Sequence, residues 1–141
     1  MKKSIDMLNA EIPEKLKAHF LRLYQMAICD EDFSAIELKM LYSFAEDRGI
    51  TAKNLDEILL RPINSKNHFP ESIEEKIEYL YDLSLMIWAD GVVDENERAA
   101  LEKYIKMFGF LEENIPQIAD YFLAATKSGK TKESIIQEFK N

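Results

Sequence analysis

The run Ala89-Asp90-Gly91-Val92-Val93-Asp94-Glu95-Asn96-Glu97 gathers the carboxylates of Asp90, Asp94 and Glu97 around one glycine turn. Two chemistries need acids at this spacing. A hard divalent cation (Ca²⁺, Mg²⁺ or Mn²⁺) takes an oxygen-rich shell, and Asp90, Asp94 and Glu97 could supply it together with turn carbonyls. Alternatively Asp94 is a helix N-cap and Glu97, three residues on, completes a capping box, so that the same oxygens accept orphan backbone N–H groups. Asp90 lies where the preceding helix ends, and a carboxylate there opposes the macrodipole unless turn N–H groups or a cation compensate.

A weaker counterpart lies upstream in Asp30-Glu31-Asp32-Phe33-Ser34-Ala35-Ile36-Glu37. Asp30 and Glu37 persist, Glu31 stands in place of the glycine, and Ser34 replaces Asp94. Both changes suit capping, and the loss of one carboxylate weakens an ion site. The downstream corner is not an EF-hand. Gly91, Val93 and Glu97 match that loop's central glycine, apolar position and bidentate glutamate, but its first and third ligand positions fall on Met86 and Trp88.

Other chemical signals are bland. Gly129-Lys130-Thr131 ends like a phosphate-binding loop, but its first required glycine is Ala124 and the segment before it has helical periodicity. A turn capped by Thr131 is expected there. His19 and His68 belong to no metal or nucleophile motif; His19 is expected at a helix flank beside Phe20, and His68 in an exposed loop. Cys29, the single cysteine, sits among apolar residues and reads as a buried thiol. No catalytic residue is assigned.

The elements that must position the corners are helical. Pro13 suits a first helical turn, and Leu16, Phe20, Leu23, Tyr24, Ala27 and Ile28 recur at three- and four-residue steps. Ser34 and Glu37 form a capping box ahead of Leu41 and Phe44, and Gly49 closes that helix. Thr51 caps a short helix carrying Leu55, Ile58 and Leu59. After Ser72 a buried helix runs through Ile77, Leu80, Leu83 and Ile87. Asp94 opens the next, Gly109 closes it, Asn114 starts another through about Ala125, and Thr131 to Phe139 forms a last one.

Several of these positions coincide at an offset of 60: Leu23/Leu83, Met26/Met86, Asp30/Asp90, Glu37/Glu97, Leu41/Leu101 and Gly49/Gly109. The expectation is an all-α, single-domain bundle over 1–141, of about six to seven helices. It comprises two tandem three-helix repeats (about 13–60 and 72–125), a loop at 61–71 and a C-terminal helix at about 131–140.

The 141 residues carry 18 basic and 26 acidic side chains, a net charge of −8. That sign disfavours phosphate backbones and anionic lipid surfaces, so neither nucleic acid nor membrane insertion is expected. Met1-Lys2-Lys3 is not followed by a signal-type apolar stretch, and a cytoplasmic location is the default. The expected partner is a protein, a second copy of the chain among the options.

The pattern Ala-Asp-Gly-x-Val-Asp-x-x-Glu at 89–97, closing one helix and opening another that ends at Gly109, resembles the TerB-like family of tellurite-resistance-associated proteins. It is also similar to the N-terminal domain of some membrane-anchored DnaJ-type co-chaperones. The resemblance implies a duplicated helical unit, a divalent-metal site at Asp90, Asp94 and Glu97 with Asp30 and Glu37 as counterparts, and a place in bacterial stress-response or envelope-associated assemblies. A non-enzymatic interaction module is the leading functional expectation. A small metal-dependent hydrolase using the same carboxylates, and a purely structural domain whose corners are only caps, are the alternatives.

Overall fold

The helices start and stop where side chains or glycines can satisfy the terminal backbone groups. The computed structural model describes residues 12–29, 35–61, 63 and 68–140, without the side chains of Cys29, Ala35 and Asp90. These residues form seven α-helices: α1 (Glu14–Cys29), α2 (Ala35–Asp47), α3 (Ala52–Leu60), α4 (Ile73–Ile87), α5 (Glu95–Met107), α6 (Ile115–Lys127) and α7 (Lys132–Lys140). Short 3-10 turns at Trp88–Asp90 and Glu112–Asn114 precede α5 and α6, and no strand occurs among the described residues. Every regular element among the described residues is helical, as the periodicity requires.

Thr51 Oγ1 accepts the Asn54 N–H at 3.1 Å and opens α3. Ser72 Oγ accepts the Glu75 N–H at 3.1 Å, while Glu75 Oε1 accepts the Ser72 N–H at 3.3 Å, a complete capping box for α4. Thr131 Oγ1 accepts from Ser134 at 3.1 Å and opens α7. Gly49 and Gly109 follow α2 and α5 with φ of 77° and 94°, a region that costs strain for residues with a Cβ. Ser34, expected to cap α2, lies outside the described residues. Asn114 immediately precedes α6, as expected. It sits in a 3-10 turn and makes no side-chain capping bond, and Pro116 in the first turn already removes one of the N–H groups a cap would serve.

α4 is the central element. It packs against α1, α2, α5, α6 and α7, and buries Ile77, Leu80, Leu83, Met86 and Ile87 completely. A single apolar cluster joins these to Phe20, Leu23 and Met26 of α1, Leu41 of α2, Leu55 of α3, Leu101 and Ile105 of α5, Phe122 of α6 and Ile135 of α7. Trp88 donates its indole N–H to the Leu123 carbonyl at 2.9 Å, tying the end of α4 to α6. No helix among the described residues is long and apolar enough to cross a membrane.

Candidate functional site

The acidic corner is built by a helix that tightens before it stops. α4 narrows into the 3-10 turn Trp88–Asp90, and Gly91 (φ 83°) turns the chain out, its N–H donating to the Trp88 carbonyl at 2.9 Å. Asp94 then takes extended geometry as N-cap of α5, and its Oδ1 accepts the Asn96 N–H at 2.7 Å. Glu97 reaches back so that Oε1 accepts the Asp94 N–H at 3.1 Å, completing the reciprocal box. Glu97 is 1% exposed, a buried strut of the corner; Val92 at the tip is 66% exposed.

Two of the three sequence-predicted ligands, Asp94 and Glu97, are therefore brought together, and each holds backbone N–H groups. Asp90 contributes the last residue of the 3-10 turn, and its side chain lies outside the described residues. In the upstream corner Glu37 is 1% exposed in the first turn of α2, matching Glu97, while Asp30 lies outside the described residues. Among the described residues no group of three or more His, Cys, Asp and Glu side chains is arranged to hold a metal ion.

A second polar constellation was not anticipated from sequence. His19, expected at a helix flank, is 0% exposed, and its Nε2 lies 2.9 Å from Asp82 Oδ2 across the α1–α4 contact. The guanidinium of Arg48, just past α2, donates from Nη2 to the same Asp82 oxygen. It also donates to Glu78 Oε2 from Nε (3.0 Å) and Nη2 (2.7 Å), and from Nη1 to the Phe44 carbonyl (3.2 Å). The imidazole stacks on Tyr79, centroids 4.0 Å apart and planes within 8°. Three helical segments thus meet on one buried carboxylate.

Burial pushes the His19 pKa below its ordinary value and outweighs the attraction of Asp82. Burial alone would raise Asp82, but the His19 hydrogen bond and the Arg48 charge outweigh it and hold the carboxyl below the usual range. The arrangement consistent with both is an ionised Asp82 accepting from a neutral imidazole protonated at Nε2. His19 Nδ1 has no hydrogen-bond partner, and a bare lone pair is cheaper to bury than an unmet N–H. Burial likewise raises the Tyr79 phenol to about 12. His19 is closed to solvent, whereas the Arg48 side chain stays partly exposed.

The signal for this cluster was present in the spacing. His19 falls in phase with Leu16, Leu23 and Met26 on the apolar face of α1, and Asp82 in phase with Tyr79 and Met86 on α4. Arg22 of α1 is also buried. Its guanidinium lies over the rings of Phe69 and Phe108, 5.0 and 5.4 Å from their centroids, and donates to the His68 carbonyl at 2.6 Å. His68 is thus half-buried against α1, where an exposed loop residue was expected. Gly129-Lys130-Thr131 is a turn between α6 and α7, as expected, with Lys130 paired to Glu138.

No family model, curated protein or solved structure matches this chain.

Proposed function

We propose that this chain is a non-enzymatic interaction module of the TerB-like kind, built from two helical repeats offset by 60 residues, whose acidic corners form its contact surface. The observation that carries the reading is the likeness of the two helices that follow the corners. α2 and α5 span 35–47 and 95–107, each has a buried glutamate in its first turn (Glu37 and Glu97, both 1% exposed), and each is followed by a glycine of positive φ. Neither buried glutamate is a core-patterning residue, so helical periodicity does not account for the coincidence.

Exposed apolar side chains flank the corners. Ile28, Ile36 and Leu38 (49%, 55% and 37% exposed) bracket the upstream one, and Val92 tips the downstream one. Apolar tips beside carboxylates suit a protein surface carrying basic and apolar groups. The motif at 89–97 supports a bacterial stress-response or envelope-associated setting. A divalent cation at Asp90, Asp94 and Glu97 is a refinement of the same reading. Asp94 accepts backbone N–H groups in the capping box, and a carboxylate offers about four acceptor sites in all.

Calorimetric and thermal-shift titration with Ca²⁺, Mg²⁺, Mn²⁺ and Zn²⁺ on the native chain and on Asp90→Asn tests the refinement. A cation that binds only the folded state raises the Tm, and the variant abolishes that rise if Asp90 is a ligand. No cation effect reduces the corners to caps. Partner capture with the native chain and with Val92→Glu then tests the contact surface itself. Metal-dependent hydrolysis of phosphate esters lost in Asp90→Asn would replace the reading with an enzymatic one.

A further inference from the structure

We propose that the cavity between α1, the turn at 48–50 and the first turn of α3 binds a small neutral molecule that carries a carbonyl-type oxygen on an apolar body. The cavity, partly open to solvent, has a volume of about 200 Å³ and is lined by Ile12, Pro13, Leu16, Ile50, Arg48 and Asn54. A dry cavity of roughly 150 Å³ accommodates benzene, so this one takes a ring with one small substituent.

Two donors define the polar end. Asn54 is 2% exposed, and its Nδ2 has no hydrogen-bond partner, which leaves the desolvation of that amide uncompensated. Arg48 has five N–H groups, and its bonds to Glu78, Asp82 and the Phe44 carbonyl engage four, leaving one on Nη1. Both groups ask for an acceptor. The acceptor is uncharged, because Arg48 already faces two carboxylates, Glu78 and Asp82, beside a neutral His19; an added anion would meet a net negative cluster. The remaining walls, Ile12, Pro13, Leu16 and Ile50, receive the apolar body.

The site shares no lining residue with either acidic corner, and it lies at the far end of α2 from the upstream one. Glu37 in the first turn of α2 and Arg48 just past its last residue are roughly 16 Å apart at 1.5 Å per residue, so failure of one proposal leaves the other standing.

The test is an NMR titration of the full ¹⁵N-labelled chain with benzamide, toluene and benzoate. Benzamide is expected to shift the Asn54 side-chain amide and the Gly49 and Ile50 backbone signals. Toluene, lacking the acceptor, and benzoate, carrying a charge, are expected to bind at least about tenfold more weakly, the cost of an unmet buried donor. Asn54→Leu is expected to abolish the preference for benzamide over toluene. Leu16→Phe, which fills the cavity while keeping an apolar side chain, is expected to abolish all three. Toluene binding as tightly as benzamide, or no probe shifting the Asn54 amide in the folded native chain, overturns the proposal.

Discussion

At the scale of single residues, His19 gives the protein a pH dependence of defined sign. Its imidazole titrates near 6.5 when unfolded and lower when folded. Between those values the unfolded chain binds more protons, so stability is full above about pH 6.5 and falls as the pH drops through that window. The Tm should therefore decline from pH 7 to pH 5. His19→Gln, which keeps an N–H for Asp82 but does not titrate, should flatten the decline; an equal slope in the variant would remove His19 as its cause. Asp82 adds a further loss at lower pH, since its carboxyl is held below the ordinary range. Replacing it is severe. Asp82→Ala leaves Arg48 short of a carboxylate and His19 without its acceptor, and a buried pair broken on one side costs about 3–5 kcal/mol. Urea titration should show that loss in the transition midpoint, and a cost under about 1 kcal/mol would show that Glu78 alone satisfies Arg48.

At the scale of elements, the corner at Asp94 has a measurable energetic role whatever it contacts. Asp94→Ala removes the acceptor for the first N–H groups of α5 and should cost about 1 kcal/mol. That loss should appear in denaturant unfolding, with the slope of the transition unchanged. The helix stops are less forgiving. Gly109 has φ 94°, and an added Cβ would meet only the flexible end of Lys76 at 3.7 Å. Gly109→Ala is therefore limited by backbone strain, not by crowding, and should destabilise by roughly 1 kcal/mol or more. A neutral effect would mean that the turn rearranges.

At the scale of the whole molecule, α4 makes the halves interdependent. Leu83 is completely buried in a helix that touches α1 and α2 as well as α5, α6 and α7. Leu83→Ala should cost about 2–5 kcal/mol and shift a single cooperative transition observed alike by far-UV and near-UV signals. Separate transitions for residues before and after the connecting loop would show that the halves fold independently.

The sequence by itself determined the helices and most of their ends. Periodic apolar residues have one stable arrangement, and Thr51, Ser72, Asp94 and Thr131 each cap through hydrogen bonds spanning no more than three residues. Such bonds are local, so their pattern is legible along the chain, as are the glycine stops. The acidic corner was legible in part for the same reason: the Asp94–Glu97 box is a matter of spacing. The tertiary structure alone decided which polar residues on apolar faces meet. His19 and Asp82 are 63 positions apart and Asp82 and Arg48 34 apart, and nothing in either local pattern states that they share an oxygen. Their pairing depends on how α1, α2 and α4 cross. Crossing is set by the summed packing of the core, a property of the whole chain that no short window of sequence contains.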